Sequence, residues 1–145
     1  MLGETYESPG SALAGNGGFI VSHKSFDEGM EPSNYYRNTA DKLLQLEGLS
    51  SSDTIRLTLL TFQLASRWLW WDDYLEISHI RGYPKNKNRI WGSSNEVFEI
   101  YPINDHITFK FVTRGLKGSV GFLIKYEGKY HVATMFSLLQ IYKIF

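Results

Sequence analysis

Phe62-Gln63-Leu64-Ala65-Ser66-Arg67-Trp68-Leu69-Trp70-Trp71-Asp72-Asp73-Tyr74-Leu75-Glu76-Ile77 reads as the end of one strand, a short polar and aromatic loop, and a second strand opening at Asp73. Phe62 and Leu64 alternate with Gln63, and Leu75 and Ile77 alternate with Tyr74 and Glu76. Successive strand side chains point to opposite faces, so each segment has one apolar side, as a half-buried antiparallel sheet requires. The stretch predicts two strands of an all-β domain.

The same period extends in both directions. Over residues 54–64, Ile55, Leu57 and Leu59 alternate, then the phase slips by one position and resumes at Leu60, Phe62 and Leu64. A slip of this kind predicts a bulge or a sandwich corner. The threonines and the two-residue period disfavour a helix here. Upstream, Leu44 and Leu46 alternate with Gln45, and residues 17–22 make a short strand. The polar run 23–41, with Pro32-Ser33-Asn34, has turn chemistry. Downstream, 96–101 and 106–113 are strands, the second with Ile107, Phe109 and Phe111 inward. After a turn at 115–118, Val120, Phe122, Ile124 and Tyr126 share one face. Residues 1–15, rich in Gly, Ser and Ala, read as a loose tail. Residues 127–145 form a C-terminal apolar extension open to three readings: an added strand, an amphipathic piece or a partner surface. About eight short strands with turns between them predict an antiparallel two-sheet β-sandwich.

Composition narrows the function. At 145 residues the chain makes one domain with a core of its own. Fifteen basic and fifteen acidic residues cancel, which gives no electrostatic case for nucleic acid or an anionic membrane surface. There is no Cys, which excludes disulfides, thiol catalysis and Cys-ligated zinc together. No segment approaches the roughly 20 apolar residues of a membrane helix, so no membrane insertion is expected. The opening Met1-Leu2-Gly3-Glu4-Thr5 lacks a basic start and an apolar run, and predicts no signal peptide.

Several pieces, in order, resemble the CUB domain, a β-sandwich module of jelly-roll type. Asn16-Gly17-Gly18 stands where the family has Cys-Gly-Gly, and Pro32-Ser33-Asn34-Tyr35-Tyr36-Arg37 where it has Ser-Pro-Asn-Tyr-Pro. Lys42-Leu43-Leu44-Gln45-Leu46 lies in register with Cys-x-Trp-x-Ile. Asp73-Tyr74-Leu75-Glu76-Ile77, Ile90-Trp91-Gly92 and Gly121-Phe122-Leu123-Ile124-Lys125-Tyr126 complete the pattern, which covers residues 16–126. The resemblance implies an extracellular, non-enzymatic module that binds a protein partner. The missing leader, cysteines and Asn-x-Ser/Thr sequon suit a cytoplasmic setting as the alternative.

By the same register the four family cysteines are replaced by Asn16, Lys42, Trp70 and Trp91. Stacking of Trp70 on Trp91 is the expected substitute for one bridge, contributing about 0.5–1.5 kcal/mol beyond burial. Many CUB domains hold calcium with a Tyr, a Glu and two Asp. Here the Tyr is Tyr36 and the first Asp is Asp73, while Ala65 and Arg114 occupy the other two positions. With two carboxylates lost and a guanidinium gained, the resemblance implies a degenerate site, no calcium, and an Arg114–Asp73 pair in its place.

The remaining candidates belong to surfaces. Trp68 and Trp71 are candidate ligand contacts, for a protein or, as the alternative, for a glycan stacked on their rings. Lys85 and Lys87, in the basic loop 82–89, are further binding candidates. No catalytic residue and no cofactor is assigned. His23, His79, His106 and His131 show no metal spacing, and only a deep pocket holding His79 or His106 beside a carboxylate would favour an enzyme.

Overall fold

The structure, a computed structural model, describes residues 10–13, 17–23, 35–36, 41–66, 72–82, 88–114, 118–128 and 142–144; for 10–13 and 142–144 it describes the backbone. These residues form eleven strands and no helix. They are β1 (Gly10–Leu13), β2 (Gly17–Val21), β3 (Lys42–Glu47), β4 (Ile55–Gln63), β5 (Tyr74–Ser78), β6 (Ile80–Arg81), β7 (Arg89–Trp91), β8 (Val97–Pro102), β9 (His106–Val112), β10 (Gly121–Gly128) and β11 (Tyr142–Ile144).

Two sheets face each other across one core. The five-stranded sheet has the order β1-β3-β9-β5-β7, and the six-stranded sheet the order β11-β2-β10-β4-β8-β6. Their central pairings are antiparallel, as the alternating pattern requires. The edge strands β1 and β11 join in parallel, on β3 and β2. A strand therefore lies within 1–15, where the sequence suggested only a tail, and another within the extension 127–145.

Burial follows the two-residue period. In β3, Leu44 and Leu46 are buried and Leu43, Gln45 and Glu47 half-buried. In β9, Ile107, Phe109 and Phe111 face inward. Leu57, Phe62, Ile77 and Phe122 join them, each at most 4 % exposed. Such burial contributes about 1.5–3 kcal/mol per large apolar side chain.

The slip expected in β4 is a bulge. Ile124 pairs with Leu59 but Leu123 pairs with Thr61, so Leu60 is the residue without a counterpart. Leu60 does not share the core face with Phe62 and Leu64. It packs on the outside of the six-stranded sheet with Val21, Leu123, Phe19 and Val120. Val120 likewise departs from the face of Phe122, Ile124 and Tyr126. The left-handed Gly121 (φ 96°) stands between them and breaks the alternation.

Candidate functional site

At one end of the sandwich, four chain segments converge on Asp73. Tyr36 is held by its backbone amide, which donates to Ser119 O at 3.1 Å, and by its ring, edge-on to Phe111 at 5.0 Å. Gly118 makes room for this approach, since a Cβ there would lie 1.6 Å from Tyr36 O. The Tyr36 hydroxyl donates to Asp73 Oδ2 at 2.5 Å and accepts from the Ala65 amide at 2.8 Å. The Arg114 amide donates to Asp73 Oδ1 at 2.6 Å, and the Asp73 amide donates to Ala65 O at 3.1 Å. Asp73 is only 1 % exposed, so these bonds are what make a buried carboxylate tolerable.

The register drawn from the sequence thus gathers Tyr36, Ala65, Asp73 and Arg114 at one place. Arg114, however, meets Asp73 through its backbone amide, while its side chain is exposed. The side chain at position 65 is a methyl group, and the backbone carbonyl there accepts from the Asp73 amide. Among the described residues the side-chain oxygens gathered here are those of Asp73 and Tyr36, bonded to each other.

A second buried polar pair lies beside this clasp and carried no signal in the sequence. Ser22 and His23 are 0 % and 3 % exposed. Ser22 Oγ accepts from the Phe122 amide at 2.9 Å and stands 2.7 Å from His23 Nδ1. The His23 ring is edge-on to Tyr36 at 6.2 Å. A Cβ on Gly121 would come within 2.1 Å of Ser22 Oγ, so glycine is required there. With Ser22 sealed from solvent, the pair ties β2 to β10 and is not placed to attack a substrate.

Trp68, Trp70, Trp71, Lys85 and Lys87 lie outside the described residues, and with them the Trp70–Trp91 contact. Trp91 itself is 41 % exposed and leans on Tyr74, ring centroids 6.3 Å apart. The Arg89 guanidinium covers the Tyr74 ring at 4.3 Å and bonds Glu76 at 2.8 Å. Arg81 donates to Ser51 O at 3.1 Å. Arg81, just before the basic loop, and Arg89, at its end, are therefore engaged within the chain. Asp72, which flanks the Trp loop, precedes β5, whereas Arg89, which follows the Lys loop, pairs with Glu76 farther along it. His79 and His106, the enzyme candidates, lie at the far end of the sandwich on an open surface, where Asp105, the carboxylate beside His106, is 84 % exposed.

No family model matches the chain, and no curated protein matches it. Among solved structures it is similar to the CUB1-EGF-CUB2 domain of human MASP-1/3, at 16% identity and a TM-score of 0.57, over 86% of this chain and 42% of that one. It is also similar to the full extracellular region of zebrafish Gpr126/Adgrg6, at 12% identity and a TM-score of 0.59, over 83% of this chain and 15% of that one. The chain thus spans less than half the length of each of these two structures. With the sandwich, the strand order and these likenesses together, the fold is CUB-like.

Proposed function

We propose that the chain is a non-enzymatic binding module that engages a protein partner, without calcium, through the loops at the Asp73 end of the sandwich. The observation that carries this reading is the clasp: Tyr36 and the Arg114 amide occupy both oxygens of Asp73, which orders the loop ends with protein groups alone. The likeness to parts of longer proteins, one of them an extracellular region, supports a module in an extracellular setting. Trp68 and Trp71, on the loop leading into Asp73, supply the aromatic anchors that such interfaces favour. Lys85 and Lys87 are further candidates for contact with the partner.

The test is capture of partners from a panel of secreted and cell-surface ectodomains, run in calcium and in EDTA. A partner retained in EDTA and lost on Trp68→Ala or Trp71→Ala supports the reading. Capture only in calcium, or tight calcium uptake in a calorimetric titration, overturns it. The exposed Trp91 ring beside Tyr74 favours a second reading, carbohydrate recognition by stacked aromatics. Glycan-array binding that disappears in Trp71→Ala would select that one.

A further inference from the structure

His79 and His106, distant in the sequence, are brought together with ring centroids 4.6 Å apart and planes tilted by 51°. His79 is the single residue between β5 and β6, where the chain leaves one sheet for the other, and it takes a left-handed backbone (φ 64°). His106 opens β9, at the opposite end of that strand from Arg114. Both rings are held from the same nitrogen. His79 Nδ1 lies 3.1 Å from Thr108 Oγ1, and His106 Nδ1 lies 2.9 Å from Asp105 Oδ1. Burial does not account for the contact, because His79 is exposed and His106 only half-buried.

An imidazole whose Nδ1–H donates to an oxygen keeps its lone pair on Nε2. A carboxylate or hydroxyl behind the ring is the usual device that orients a metal-binding histidine and raises its basicity. Two such rings in contact on a solvent-facing surface place two imidazoles side by side.

We propose that His79 and His106 form a two-imidazole site for a divalent transition-metal ion. The ion is bound through the two Nε2 atoms, Asp105 and Thr108 fix the rings from behind, and water completes the coordination. Among the described residues no group of three or more His, Cys, Asp or Glu side chains gathers for a metal, so the described residues contribute these two ligands. Nitrogen donors without thiolate rank the divalent ions with Cu2+ above Ni2+ and Zn2+, and hard Ca2+ and Mg2+ are not held. The site is separate from the Asp73 clasp and does not depend on the binding reading.

The experiment is calorimetric titration of the full chain with Cu2+ and Zn2+, paired with electron paramagnetic resonance of the Cu2+ form. The expected result is one Cu2+ site with imidazole nitrogen coupling, at least tenfold weaker in both His79→Asn and His106→Gln. Asparagine tolerates the left-handed backbone, so His79→Asn keeps the corner while removing the ring. Asp105→Asn is expected to weaken Cu2+ by about tenfold through ring orientation. Circular dichroism confirms that each variant is folded. Absence of Cu2+ binding in the parent chain, or unchanged affinity and spectrum in both histidine variants, overturns the proposal.

Discussion

Asp73 is the residue whose surroundings are most demanding, because a buried carboxylate is tolerated only where donors face it. Tyr36→Phe removes the hydroxyl, leaving Asp73 Oδ2 and the Ala65 amide without that partner. The expected loss is about 2–3 kcal/mol in urea unfolding, the range for a hydrogen bond to a charged group. Arg114→Ala keeps the amide that bonds Asp73 and is expected to stay within about 0.5 kcal/mol of the parent. A large effect of Arg114→Ala would mean that the guanidinium, not the backbone, sustains the clasp. Lys42 is the converse case: it sits 5 % exposed in line with Leu44 and Leu46, and burial lowers its pKa from the usual 10.5. Below the lowered pKa the ammonium is charged in both folded and unfolded chains, so the desolvation cost falls on the folded state. Above the lowered pKa the folded chain has given up its proton while the unfolded chain holds it, and stability rises with pH up to about 10.5. Lys42→Met is therefore expected to raise the melting temperature at neutral pH, with a gain that shrinks in alkali. The resemblance to CUB domains and its register single out Tyr36 and Asp73. Nothing in the sequence hinted at Lys42, Ser22 or His23 as buried groups, because isolated polar residues look like loop or surface until their neighbours are placed.

Strand β4 carries the clearest link between pattern and geometry. The bulge at Leu60 absorbs the phase slip, so Ile55, Leu57, Leu59, Phe62 and Leu64 all reach the core. Deleting Leu60 restores a continuous two-residue alternation, and every core residue keeps its face. Deleting Thr58 instead puts the residues before it out of phase with those after it, and a one-position shift moves side chains to the opposite face. The Leu60 deletion is expected to fold with a modest loss, about 1–2 kcal/mol, from the outer apolar cluster. The Thr58 deletion is expected to lose cooperative thermal unfolding. Equal damage from the two would show that the bulge has a further structural role. Elements such as β4 and β9 were legible because burial on one face writes itself into the sequence. The edges were less so: Gly10-Ser11-Ala12-Leu13 joins as a short parallel edge strand that its composition does not announce, and Tyr142-Lys143-Ile144 takes the added strand that was one of three readings. The His79–His106 contact was hidden for a related reason, since it exists only once β5 and β9 are paired.

Across the whole molecule, side-chain packing between the sheets does the work that bridges perform in cysteine-bearing sandwiches. An aromatic series crosses from one sheet to the other. Tyr36 meets Phe111 at 5.0 Å, Phe111 meets Phe122 at 5.1 Å, and Phe122 stacks on Phe62 at 5.7 Å. Edge-to-face and stacked contacts of this kind add about 0.5–1.5 kcal/mol each to the burial of the rings. Tyr126, one turn of the pleat along β10 from Ile124, extends the same core and is 1 % exposed. Burial pushes its phenol up from 10.0 to about 12. Between those two pH values the unfolded chain has released this proton and the folded chain retains it, so the folded state loses stability as pH rises. A separation of about two pKa units corresponds to about 2–3 kcal/mol lost across that window. Tyr126→Phe has no proton to release and is expected to show a correspondingly flatter dependence of urea midpoint on pH from 10 to 12. Identical slopes for the parent and the phenylalanine variant would place the phenol in contact with water, and the core would then be open where the packing closes it.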